Sequence, residues 1–104
     1  MYAVPGPVIN LDAIAGLEFI RLTWMEPENI VYHIFIGYNI YLIQFNETVQ
    51  TPKEMTSYSF PSEKFAEDQT YTAEVFAISE VGLGPSEVVS FKTIGKKPLI
   101  MPHS

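Results

Sequence analysis

The sequence predicts an all-β chain folded as an antiparallel sandwich of two sheets. Three observations carry that expectation. Aromatic and β-branched residues recur in short runs with turn residues between them. Within several runs, apolar side chains fall at every second position, the period of a strand with one buried face. No amphipathic helix of useful length is present; residues 13–19 have some helical character, but Gly16 and the alternation that follows weaken it.

The first expected strand is 8–14, behind "VPGP", a linker composition. The second is 19–24, where Ile20, Leu22 and Trp24 alternate with Phe19, Arg21 and Thr23 until Pro27 breaks the run. Residues 38–45 are the third, and 48–53 read as an irregular polar connection. Residues 57–60 are a fourth strand stopped by Pro61, and 71–78 and 88–93 are the last two. Six or seven short strands at this spacing suit a sandwich. Residues 1–6 read as a linker, 7–94 as one domain and 95–104 as a C-terminal linker or tail.

Bulk composition excludes several function classes. A chain of 104 residues is one domain. At that size it buries about two-thirds of its unfolded surface, enough for a core without staples. With no cysteine, neither a disulfide framework nor a thiolate metal site is available. Twelve acidic against six basic residues give a net charge of −6, and only Lys96 and Lys97 are adjacent cations, so nucleic acid and anionic membrane surfaces are not expected partners. The most apolar stretch, 30–45, is interrupted by His33, Gly37, Asn39 and Gln44. It falls short of the roughly 20 apolar residues a spanning helix needs, so no direct membrane insertion is expected. The start, "MYAVPGPV", lacks the basic and apolar regions of a signal peptide, so a secreted origin implies a piece of a longer chain.

Spacing then carries a resemblance. Trp24 follows Ile20 and Leu22 at alternate positions, and Pro27 comes three later; Tyr38, in "GYNIYL", stands fourteen beyond Trp24; Phe65 stands six before Tyr71; "YTAEVFA", "GLGPSE" and "VVSFKT" follow, ending at Thr93. Over about 5–93 this set resembles a fibronectin type III domain. The resemblance implies a seven-stranded, immunoglobulin-like β-sandwich. In it Trp24, Tyr38 and Tyr71 belong to the structural core, and the Tyr71 hydroxyl bonds backbone just upstream. Gly82 and Gly84 are expected to supply positive φ to the last turn, and Pro85 to end it. Glu67 and Asp68 stand where relatives carry Pro and Gly, Phe65 where they carry Leu, and Ser79 where Asn is common. Neither an Arg-Gly-Asp tripeptide nor a Trp-Ser-x-Trp-Ser box is present, so integrin and cytokine readings lack their motifs.

No constellation of residues suggests catalysis. Only two histidines exist: His33 has no nearby acidic residue to orient it as a base, and His103 lies in the expected tail. Glu63, Glu67 and Asp68 lack the spacing of a calcium loop, and "GLG" does not open a helix, so no phosphate cradle is expected. The chain is expected to be no enzyme and to take no cofactor, metal or small-molecule substrate.

Three features stand out as candidate sites. If Tyr71, Ala73, Val75 and Ala77 face the core, strand alternation turns Phe76 and Ile78 outward. The resemblance places the third, sixth and last strands in one sheet, so Tyr41, Ile43, Phe76, Ile78 and Val88 would form an apolar outer face where relatives are polar. Exposed apolar patches of this kind mark interfaces. The loop 29–37 is apolar and aromatic; Ile34 and Ile36 are expected to extend the third strand inward, leaving Tyr32 and Phe35 as candidate contacts. Asn46-Glu47-Thr48 is an N-glycosylation acceptor if the chain is secreted. The resemblance implies a non-catalytic protein-interaction or spacer module. Its expected setting is the extracellular, cell-surface part of a larger adhesion molecule or receptor. The alternative is an intracellular module of a scaffold or regulatory protein. Expected partners are proteins: neighbouring domains, a protein ligand or a second copy.

Overall fold

The computed structural model describes residues 3–95. Of the expected tail, 95–104, all but Gly95 lies outside them, Lys96, Lys97 and His103 included. The strands are β1 (Ile9–Ala15), β2 (Phe19–Met25), β3 (Phe35–Leu42), β4 (Glu47–Pro52), β5 (Ser57–Pro61), β6 (Thr70–Ser79), β7 (Gly82–Leu83) and β8 (Glu87–Lys92). One sheet has the order β1-β2-β5; the other runs β4-β3-β6, with both β7 and β8 pairing β6. All pairs are antiparallel. The architecture is thus an all-β sandwich, with eight strands in place of seven. The last strand is split, because Gly84-Pro85-Ser86 interrupts it and Pro85 has no N–H to give the ladder.

Side-chain alternation builds the core. Along β6, Ala73, Val75 and Ala77 are fully buried while Thr72, Glu74, Phe76 and Ile78 between them are partly exposed. Ile20, Leu22 and Trp24 on β2 and Tyr38, Ile40 and Leu42 on β3 close on them from the two sheets. Tyr38 sits edge-on between two rings, with centroids 5.3 Å from Trp24 and 5.3 Å from Phe35. Edge-to-face pairs of this kind contribute about 0.5–1.5 kcal/mol beyond the area they bury. At the other end Phe60, Phe65, Tyr71 and Phe91 pack together. There the Tyr71 hydroxyl accepts the Ala66 N–H at 2.9 Å, five residues upstream.

Several sequence expectations are corrected. Residues 48–53 are not an irregular connection: Glu47–Pro52 is β4, an edge strand paired with β3 from Gly37↔Pro52 to Leu42↔Glu47. Strand β3 begins earlier and ends earlier than expected, and Ile43–Phe45 form a 3₁₀ turn. Its parity also breaks near the start. The register with β6 shifts between Phe35 and Gly37, so Phe35 is buried and Ile36 faces solvent, opposite to the extrapolated pattern. Gly37 explains the shift: a Cβ there would lie 2.0 Å from the Thr51 carbonyl oxygen, so only glycine lets β4 approach. Positive φ in the last turn belongs to Gly82 alone, at 142°. Gly84 is needed for space instead, since a Cβ would meet the Pro5 carbonyl oxygen at 2.2 Å.

That contact is part of a clasp. The Gly6 N–H donates to Asn29 Oδ1 at 2.7 Å, and Asn29 Nδ2 donates to the Val4 carbonyl at 3.4 Å. The segment ahead of β1 is therefore fixed between the β2–β3 loop and the last turn.

Two predictions follow from the packing. Gly37→Ala should lower stability by about 1–3 kcal/mol, the range for overpacking, whereas Gly95→Ala, whose Cβ meets nothing, should be neutral; paired denaturant melts measure both. Burial of the Tyr38 hydroxyl, helped by the Glu26 charge, pushes its pKa from 10.0 to about 12; the Trp24 N–H opposes this and, short of hydrogen-bond geometry, does not cancel it. The folded state then holds that proton more tightly than the unfolded chain. Its contribution is whole below pH 10 and lost as pH rises to about 12. A Tyr38→Phe chain should lose this alkaline component, read as the change in melting temperature across that window.

Candidate interaction face

The outer surface of the β4-β3-β6-β8 sheet is set by register. Tyr41 on β3, Glu74 on β6 and Val88 on β8 lie directly opposite one another. Two residues along, Asn39 faces Phe76; two further, Gly37 faces Ile78, which also pairs with Leu83 on β7. Phe76 is thus the centre of the patch. Tyr41 and Val88 are its diagonal neighbours, close enough for aromatic side chains to touch. Ile78 follows it on the same side of β6. Gly37 opposite Ile78 contributes no side chain, and at Phe76 the β8 ladder has already stopped. Phe76 and Ile78 are half-buried, while Val88 is 56% and Leu83 54% exposed.

Of the five residues expected on this face, Tyr41, Phe76, Ile78 and Val88 occupy the sheet itself. Ile43 does not: it starts the 3₁₀ turn beyond β3, at the same end as Tyr41, and is 39% exposed. Leu83 joins the patch and was missed. The signal was present in "VGLGP", but the glycines disguised a two-residue strand. Glu74 is the one charged residue in the outward file of β6.

Of the two expected loop contacts, Tyr32 is exposed and Phe35 is not. Phe35 is only 3% exposed and packs on Tyr38, so it is a core residue; the 3₁₀ turn Tyr32–Ile34 ahead of it swings its ring inward. Tyr32 is 56% exposed and tied to the β4–β5 turn. The Lys53 ammonium donates to the Tyr32 carbonyl at 2.9 Å and lies 3.9 Å from its ring centroid, while the Tyr32 hydroxyl reaches Glu54 Oε2 at 3.4 Å.

Asn46 caps the turn Ile43–Phe45 in the left-handed region, with φ 50 and ψ 48. The Tyr41 hydroxyl donates to its Oδ1 at 2.7 Å. Phe45 beside it stacks on Tyr71 at 5.6 Å and carries the Lys64 ammonium 4.8 Å from its centroid. Lys64 also pairs with Glu47 at 2.5 Å. Asp68 pairs with Lys92 at 3.4 Å. Among the described residues no three His, Asp or Glu side chains group as metal ligands, and no helix is long and apolar enough to cross a membrane.

No protein-family model matches the chain, and no curated protein does. Solved structures match it closely in shape. The solution structure of the fibronectin type-III domain of human fibronectin type III domain containing protein 3 superposes with a TM-score of 0.68 at 19% identity, over 90% of this chain and 90% of that one. The chicken CNTN1 FN1-FN3 domains give 0.72 at 15% identity, over 88% of this chain and 33% of that one. The rat CD45 extracellular region, domains d3-d4, gives 0.72 at 17% identity, over 88% of this chain and 51% of that one. The chain spans a third to a half of the two longer fragments. The buried Trp24–Tyr38 pair and the Tyr71 corner are those the sequence resemblance implied, and the superpositions agree with it: the chain has the fibronectin type III fold.

Proposed function

We propose that the chain is a non-catalytic protein-interaction module of a larger extracellular protein, and that it binds through the outer face centred on Phe76. The observation that supports this is the apolar file itself. Phe76, Ile78 and Leu83, flanked by Tyr41 and Val88, lie on the solvent side of strands whose inward residues already fill the core. Keeping such side chains in water costs about 25 cal/mol per Å² of apolar surface, a cost a bound partner recovers. Glu74, between Tyr41 and Val88 in the row beside Phe76, adds a charge that a partner reaching that row would match with Lys or Arg. One structural neighbour is the rat CD45 extracellular region, which favours an extracellular setting.

A second reading, a spacer within a multidomain chain, is favoured by the clasp on Val4 and Gly6. That clasp would orient whatever precedes it, beside the exposed Val81 and Leu83.

Two variant pairs separate these readings. Phe76→Ser with Ile78→Lys removes the centre of the face. Leu83→Glu with Val88→Glu changes only residues already more than half exposed, so folding should hold within about 0.5 kcal/mol. Sedimentation velocity of the chain, alone and joined to its neighbouring domain, is expected to show association weakened at least about tenfold, or about 1.4 kcal/mol, in both pairs. Unchanged association in both removes this face from consideration. A chain that stays monomeric at every concentration, yet rigid when joined to its neighbour, is the spacer.

A further inference from the structure

We infer that Asn46 carries an N-linked glycan, and that this glycan shields the Tyr41–Ile43 end of the outer face while leaving the Phe76–Ile78–Leu83 end open to a partner. The inference rests on the extracellular reading above and narrows it to one end of the face.

Asn46-Glu47-Thr48 is an acceptor triplet with a non-proline middle residue, and all three residues are exposed. Geometry adds to the motif. Asn46 projects from a tight turn between β3 and β4 in a left-handed conformation that asparagine tolerates. Its Oδ1 is taken by the Tyr41 hydroxyl at 2.7 Å, while Nδ2 makes no hydrogen bond among the described residues. The amide is therefore anchored by its oxygen and leaves its nitrogen for the sugar. In the transfer, Nδ2 bonds to the anomeric carbon of a lipid-diphosphate-linked oligosaccharide. The bond from that carbon to the diphosphate oxygen breaks, the lipid diphosphate leaves with the electron pair, and Nδ2 gives up one proton. The Tyr41 hydroxyl keeps its acceptor, because Oδ1 survives in the product amide.

The same geometry gives the glycan a direction. Phe45, just before it in the chain, already has Tyr71 stacked on its ring and the Lys64 ammonium 4.8 Å from its centroid. The sugar instead has room over Tyr41, which holds its amide, and over the exposed Ile43. Ile78 and Leu83 lie at the Gly37 row, four residues up β3 from Tyr41, or about 13 Å at 3.3 Å per residue.

The test uses the full chain carried through the secretory pathway of a eukaryotic cell. Intact mass is expected to exceed the polypeptide by one oligosaccharide, to fall on treatment with peptide-N-glycosidase, and to show no addition in Thr48→Ala, which leaves Asn46 and its hydrogen bond in place. The chain has no cysteine, so Ile43→Cys and Leu83→Cys each supply a single thiol at an exposed site. Maleimide labelling of Ile43→Cys should be severalfold slower with the glycan than after its removal, and labelling of Leu83→Cys unchanged. An unmodified Asn46 in the folded, secreted chain overturns the inference. Equal effects of the glycan at both thiols overturn its direction. Association through Phe76 is a separate readout, so an unmodified Asn46 in a chain that still associates removes the glycan and leaves the binding face.

Discussion

Enclosure of the Tyr38 ring between Trp24 and Phe35 is the constraint on which the rest of the structure depends. A strand has only two sides, so one fully buried ring on β3 fixes the side of every residue from Gly37 to Leu42. The antiparallel register then passes that choice to β6, where Ala77 lies opposite Tyr38, and β6 passes it to β8. A slip of one residue would bring Phe76 and Ile78 into the core and turn Val75 and the small Ala77 outward, leaving the large rings of Trp24 and Tyr38 without space. The outer face is therefore a consequence of core packing, and its composition is the variable the sequence was free to set.

Legibility of the fold followed the strength of that alternation. Residues Ile20 to Trp24 and Tyr71 to Ile78 alternate cleanly, and their strands and burial were readable from the chain alone. The reading failed at Phe35 and Ile36 because it carried the parity of Tyr38 backward through Gly37. The bulge there is dictated by a tertiary contact, the approach of the Thr51 carbonyl, which no local pattern records. It failed again at β4, whose "ETVQTP" is polar and ends in proline. An edge strand with one neighbour needs little apolar pattern of its own, because β3 supplies the hydrogen bonds and only Thr51 is buried. Gly84 illustrates a third kind of miss: its role is set by Pro5, almost eighty residues away in the chain.

The candidate site was legible to the extent that it is a by-product of the same parity. Four of its residues come straight from alternation on paired strands. Ile43 was misplaced because its stretch continues β3 in composition but not in space. There Phe45 turns away from the sheet to stack on Tyr71, and that aromatic cluster, which also holds Phe65 and Phe91, ends the strand. The Tyr71 hydroxyl, bonded to the Ala66 N–H, holds the cluster's other side in place. Thus the corner that closes one end of the core also creates the left-handed turn on which Asn46 is presented.

The two ends of the outer face consequently differ in kind. At the Tyr41 end, polar groups are already bonded to one another: Tyr41 to Asn46, Thr72 to Ser90 at 3.0 Å, and the Thr72 N–H to Gln44 at 2.9 Å. A partner docking there would have to displace satisfied hydrogen bonds, and groups left unpaired cost about 1–3 kcal/mol each. At the Ile78 end the surface is Phe76, Ile78 and Leu83 beside a glycine, and its polar groups are the backbone of a two-residue strand and Asn39 opposite Phe76, whose Oδ1 is buried without a hydrogen-bond partner among the described residues. Apolar area there is recovered on contact without displacing a network such as the one around Tyr41. In the proposed reading, this difference favours docking on the half of the face away from Asn46, beside the last turn and the clasped segment at Val4.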